Sequence, residues 1–247
     1  MKNFLNEVVN NSKGTPMKII GFRNKSDIDV QFLDDFGYIK EHTLYANFIK
    51  GNIKNPYDKN ICGVGYFGEG KYKCKYSNGI HTSEYQNWIS MIRRCYDLNR
   101  KNTYPAYYGK CEVCKGWHNF QNFAEWYNKN FYQVGTERMH IDKDILIKDN
   151  KLYSPETCIL VPQRINMLFV KKPNRYNLPN GVKPSLSGKF EAKYNEQYLG
   201  IFDTVEDAAR AHDQAKKEKI TDTANEYKDR IPNKVYQALI NWIPDYI

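Results

Sequence analysis

At 247 residues the chain is long enough for one large domain or two to three small ones. Its side chains are 41% hydrophobic and 15% aromatic, with 20 Tyr, enough bulk to fill modest cores, which excludes wholesale disorder. Lys and Arg number 37 against 28 Asp and Glu, a formal net charge of +9. That excess favours a polyanionic partner, with nucleic acid ahead of an anionic membrane because no basic helix carries an apolar anchor face.

No apolar run is long enough to span a bilayer. The start, MKNFLNEVVNNSKG, lacks the apolar block of a secretory leader, so a cytoplasmic location and no membrane partner are expected. In a reducing compartment the six cysteines (Cys62, Cys74, Cys95, Cys111, Cys114, Cys158) are core thiols or metal ligands rather than a disulfide framework.

Residues 1–75 read as a β-rich module. MKIIGF, DIDVQFL and VGYFG are short β-branched and aromatic runs between turn residues, and Asp27 to Phe32 alternates polar and apolar. GVGYFGEG (63–70) matches a glycine-rich dinucleotide fingerprint, but KYKCKYSNG follows it and not a helix, so a tight strand junction is expected instead.

From Thr82 the period changes to helical. Tyr85, Trp88, Ile89, Ile92 and Tyr96 lie on one stripe behind a Ser/Thr cap, and a second helix over about 119–131 aligns Phe120, Phe123, Ala124, Tyr127 and Phe131. Both stripes are expected to be core and not base-stacking platforms. Between them, Cys111-x-x-Cys114 is half of a zinc site that Cys95, Cys158 or His118 would complete; buried thiols are the competing account.

HIDKDILIKDNKLYSPETC (140–158) reads as a hairpin closing on Ser154-Pro155, followed by the strand ILVP and the start of a helix. VKKPNRYNLPNG (170–181) has linker composition. Beyond it, GKFEAKYNEQYLGIF reads as two strands, with Phe190, Ala192 and Tyr194 on one face and Lys189, Glu191 and Lys193 on the other. TVEDAARAHDQAKKEKI is an alanine-rich helix capped by Thr204, and a last helix covers about 232–243. The fold class expected is α+β in several modules: 1–75, 76–172 and 176–247.

NGVKPSLSGKFEAKYNEQYLGIFDTVEDAARAHDQA resembles the AP2/ERF DNA-binding domain through Gly181-Val182, Phe190-x-Ala192, Leu199-Gly200-x-Phe202-x-Thr204 and Ala208-Ala209-x-Ala211-His212-Asp213. The resemblance implies a three-stranded sheet backed by one helix, its open face laid in the major groove of double-stranded DNA. This chain carries Lys183, Lys189 and Lys193 there, and Phe190 in place of a Trp, so its contacts are less directional than an arginine fork's. Lys171, Lys172 and Arg175 in the linker are further candidate DNA contacts.

The stretch from SEYQNWISMIRRCYD through HIDKDIL to YSPETC is similar to phage HNH (ββα-metal) proteins, and a homing-type endonuclease joined to an AP2 domain recurs in mobile genes. The similarity implies DNA phosphodiester hydrolysis with Mg²⁺ or Mn²⁺, with Asp142 and Asn166 as metal ligands. Where that family has Asp-His, this chain has Asp142-Lys143, and an ordinary lysine is protonated at neutral pH and cannot act as base. His140, on the same strand face as Asp142, is the replacement; Asp144 shares that face as a second metal ligand or an alternative base, and Lys143 is assigned a phosphate or transition-state contact. The alternatives are a catalytically degenerate HNH/AP2 protein that only binds DNA as a regulator, and a counter-defence inhibitor of a host enzyme.

Overall fold

The computed structural model describes residues 4–170 and 174–246. The chain is mixed α+β with several small sheets, in two compact units, Met1–Lys129 and Asn130–Ile247. That division falls at the end of the second aromatic helix, ahead of the hairpin.

The first unit opens with a four-stranded antiparallel meander in the order β1 (Val8–Asn10), β2 (Pro16–Asn24), β3 (Asp27–Phe32) and β4 (Ile39–Thr43), followed by α1 (Tyr45–Ile49). Alternation determines its inner face: Met17, Ile19, Ile28, Val30 and Phe32 meet Phe48 and Ile53 in one core. VGYFG forms only isolated bridges, Ile61 to Gly65 and Tyr66 to Asn119, and no strand. The glycines there answer to close packing: at Gly68, φ +68°, a Cβ would stand 2.2 Å from Asn119 Oδ1.

Helix α2 (Ser83–Tyr96) starts where Thr82 Oγ1 accepts the Tyr85 N–H, and it buries Tyr85, Trp88, Met91, Ile92 and Cys95. The two-residue strand β5 (Glu112–Val113) precedes α3 (Phe120–Asn130), which buries Phe120, Phe123, Ala124 and Tyr127. Phe131 falls just past the helix end and is 41% exposed, so the expected stripe is one residue shorter. The Trp88 indole N–H donates to the Trp117 carbonyl at 2.7 Å, satisfying the one polar atom of a fully buried ring.

In the second unit, β6 (Met139–Asp142) pairs antiparallel with β8 (Ile159–Pro162), and the short helix α4 (Gln163–Met167) follows directly; the two-residue β7 (Leu152–Tyr153) lies in the intervening loop. A separate three-stranded antiparallel sheet has the order β11 (Gln197–Phe202), β10 (Phe190–Tyr194), β9 (Val182–Pro184). Helix α5 (Val205–Tyr227) covers one face of it, and α6 (Asn233–Ile240) packs on α5.

Helix α5 serves two cores. Its first half places Ala208 and Ala209 against Val182 and Ala192 of the sheet. Its second half places Ile220, Ala224 and Tyr227 against Ile145, Ile159, Val161 and Ile165 of the hairpin and α4, with Val235 and Leu239 of α6. Among the described residues no helix is long and apolar enough to cross a membrane.

Candidate functional site

Strand alternation points His140 and Asp142 to one face of β6, and α4 brings Asn166 over it. His140 Nδ1 stands 3.4 Å from Asn166 Nδ2, so a strand residue and a helix residue 26 positions apart are brought together. Asp142 is committed locally: its Oδ1 accepts the N–H groups of both Asp144 and Ile145 at 2.7 Å. Burial pushes the Asp142 carboxyl up, and those two backbone bonds only partly oppose it.

Lys143 does not present a phosphate contact. It is 4% exposed, its ammonium donates to both oxygens of Asp144 at 2.7 and 2.8 Å and to the Asn150 carbonyl at 2.6 Å, and it lies over the Tyr153 ring. The same period of two that turns His140 and Asp142 to the half-buried face puts Lys143 on the buried face of Met139 and Ile141, a signal already present in the sequence. Asp144 is thereby the counter-ion of Lys143 rather than a second ligand beside Asp142. Asn150 completes the loop: its side chain donates to the carbonyls of Lys143 and Leu152 and accepts from the Leu152 N–H. The Ser154-Pro-Glu-Thr turn is a hydrogen-bonded knot, with the Cys158 N–H on the Ser154 carbonyl and Thr157 Oγ1 donating to the Leu152 carbonyl.

Arg164, beside Asn166 on α4, forks Glu226 of α5 at 2.5 and 2.6 Å, and Tyr227 donates to Glu137 ahead of β6 at 2.6 Å. These positioning residues were not identified from the sequence, because nothing local marks a pair 62 residues apart.

Burial pushes the Cys158 thiol up to about 12, and Cys95 and Cys111 are buried as well. Among the described residues, three or more His, Cys, Asp or Glu ligand atoms come together only at Asp27, Asp29 and His42, which sequence analysis did not single out; Cys95, Cys111 and Cys114 form no such group. At that triad the Arg23 guanidinium already bonds both carboxylates at 2.6–2.8 Å. Arg23 holds Asp27 down to about 2, the behaviour of an exposed ion-pair cluster.

The sheet face opposite α5 carries Lys183, Glu191, Lys193, Tyr198 and Ile201 across three strands. Its lysines are not a lone positive field. Lys183 and Lys193 flank Glu191 at 3.2 and 3.3 Å, and Lys189 pairs with Asp203 at 2.8 Å. Burial pushes the Glu191 carboxyl up, but the two lysines outweigh it and hold it below the usual range. Arg175 is exposed and stacks on Tyr176; Lys171 and Lys172 lie outside the described residues.

The chain matches no family model, no curated protein and no solved structure.

Proposed function

We propose that this chain binds duplex DNA through the open face of its three-stranded sheet, on a scaffold that also carries an HNH-like hairpin and helix. The observation that carries the reading is the one-sided covering of that sheet. Ala192 is buried against α5, while Lys183, Lys193, Tyr198 and Ile201 stay at the surface of a small antiparallel sheet, a type of element that other proteins lay in a DNA groove. Glu191 and Asp203 already neutralise these lysines in part, which favours a modest, low-salt affinity over strong sequence reading.

For the hairpin, the positions of Asp142, Lys143 and Asp144 favour a scaffold whose acids build a turn, the degenerate form of the HNH plan. Two observations favour the endonuclease instead: His140 and Asn166 converge at 3.4 Å, and Asp142 Oδ2 accepts no hydrogen bond among the described residues. In that second reading Asn166 and Asp142 would hold Mg²⁺ or Mn²⁺, which supplies charge stabilisation at the scissile phosphate. His140 would then take the proton of the attacking water.

Supercoiled plasmid incubated with the protein in Mg²⁺ or Mn²⁺ separates the two. Intact plasmid in both metals is expected for the scaffold reading. Nicking that Asp142→Ala and His140→Ala both abolish establishes the endonuclease. A gel-shift series tests the shared claim, and no shift at low salt sinks it.

A further inference from the structure

The first unit holds a basic surface that the proposed DNA contact does not use. Residues 93–118 carry six Lys or Arg against two acids, a local density well above that of the chain as a whole. The structure gathers part of it around one loop. Helix α2 delivers Arg93, the 3-10 turn Leu98–Arg100 delivers Arg100, and the 3-10 turn Lys115–His118 delivers Lys115.

The groups are close to one another. Gly65, in the loop just after Cys62, packs so closely on Trp88 of α2 that an added Cβ would stand 3.1 Å from its ring. That seats the loop on the helix whose last turn bears Arg93 and which leads into Arg100. Burial and Asp97 push the Cys62 thiol up, and Arg93 and Arg100 oppose them. The Tyr66 N–H donates to the His118 carbonyl at 2.9 Å, which brings the loop that follows Lys59 to the turn that bears Lys115. Burial pushes His118 down, and Lys59 and Lys115 act on it in the same direction. The Tyr96 and His118 rings touch edge to face at 6.1 Å and join the two halves, and the Tyr96 hydroxyl accepts the Val113 N–H at 2.9 Å.

The charges are also unspent. Among the described residues Lys59, Arg93, Lys101, Lys110 and Lys115 have no carboxylate within 4.0 Å, and Arg100 meets Asp97 only at 3.6 Å. The sheet lysines of the second unit, by contrast, all have acidic partners. Clustered cations without counter-ions repel one another, and a polyanion relieves that repulsion while releasing its own condensed counter-ions. Exposed Lys101 and Lys110 extend the surface along a loop that also bears Tyr104, Tyr107 and Tyr108.

We propose that Lys59, Arg93, Arg100 and Lys115, with Lys101 and Lys110 beside them, form a second nucleic-acid contact that grips the phosphate backbone without reading bases. This rests on the function proposed above only in naming nucleic acid as the polyanion.

The test is fluorescence anisotropy of the full chain on a 30-base-pair duplex of arbitrary sequence across a salt series. The variants are Lys59→Gln/Arg100→Gln/Lys115→Gln and Lys183→Gln/Lys189→Gln/Lys193→Gln. Each lost phosphate contact removes about 0.9 from the slope of log K against log salt, so the first variant is expected to lower that slope by about 2 to 3. A fall of less than about 0.5 there, with wild-type binding intact, overturns the second contact and leaves the sheet reading standing. No duplex binding by wild type at low salt, or binding only to anionic phospholipid vesicles, overturns both. Glu112→Gln is the companion variant should the triple change unfold the protein: it removes one of the surface's two acids and is expected to tighten duplex binding two- to fivefold. Unchanged affinity in that variant counts against the proposal.

Discussion

The Lys143 ammonium is enclosed by Asp144 and the Asn150 carbonyl in a loop whose first residue, Asp142, caps two backbone N–H groups. A charge 4% exposed depends on its partners, whereas Asp144, with its side chain 37% exposed, can turn to water. The two halves of the pair are therefore unequal when one is removed.

Asp144→Ala leaves a buried ammonium without its carboxylate counter-ion and is expected to cost about 2–4 kcal/mol of unfolding free energy. Lys143→Met keeps the apolar stem, removes the charge, and is expected to cost about 1 kcal/mol or less. Urea denaturation of the two variants measures the order. A larger loss for Lys143→Met would show that the lysine is held for some reason other than this pairing.

Gly181 joins the linker to β9 at φ +75°, where an added Cβ would stand 2.1 Å from His212 Cδ2 and 2.3 Å from the Lys193 carbonyl oxygen. Gly181→Ala combines left-handed strain with a clash against backbone that cannot yield, and a loss of roughly 2–4 kcal/mol is expected. Thermal melts followed by circular dichroism check it; an unchanged midpoint would mean that sheet and helix separate at no cost.

Asp213 on α5 holds the C-terminal segment by accepting the N–H groups of Asp245 and Tyr246 at 2.9 and 3.1 Å, and it also bonds His212. Burial pushes this carboxyl up, but the His212 and backbone bonds outweigh it, and its proton affinity is lower in the folded chain than in the unfolded one. The unfolded chain thus takes the proton first. The stabilisation is present above the unfolded value near 4 and fades as pH falls through the lower folded value. Urea midpoints measured from about pH 6 to pH 3 should fall more steeply in wild type than in Asp213→Asn. Parallel curves would remove Asp213 from the acid response.

Cys158 is 1% exposed, and with its thiol pushed up to about 12 it carries almost no thiolate at neutral pH. N-Ethylmaleimide at neutral pH is expected to leave Cys158 unmodified in the native protein and to label it fully in guanidinium chloride, read by peptide mass spectrometry. Native labelling at a rate near that of a small thiol would contradict the burial.

Local chemistry alone located much of this chain. The Thr82 and Thr204 caps, the aromatic periods of α2 and α3, the alternation of β3 and the Phe190-x-Ala192 strand each depend on neighbours within a few positions, and all form where the pattern placed them. Alternation along β6 also determined the fate of Lys143, whose parity matches that of buried Met139 and Ile141.

Tertiary structure decided what those elements do to one another. The alanine helix runs on to Tyr227 because Ile220, Ala224 and Tyr227 find the hairpin core, a partner that a polar, lysine-rich sequence does not announce. The pairing of Arg164 with Glu226, the neutralisation of Lys189 by Asp203, and the gathering of Lys59, Arg93, Arg100 and Lys115 are charge relations set by where backbones come to rest. A charge acts over distances in space that sequence separation does not encode. The residues that would bind a polyanion were therefore readable as residues, and only folding showed which of them keep their charge to offer.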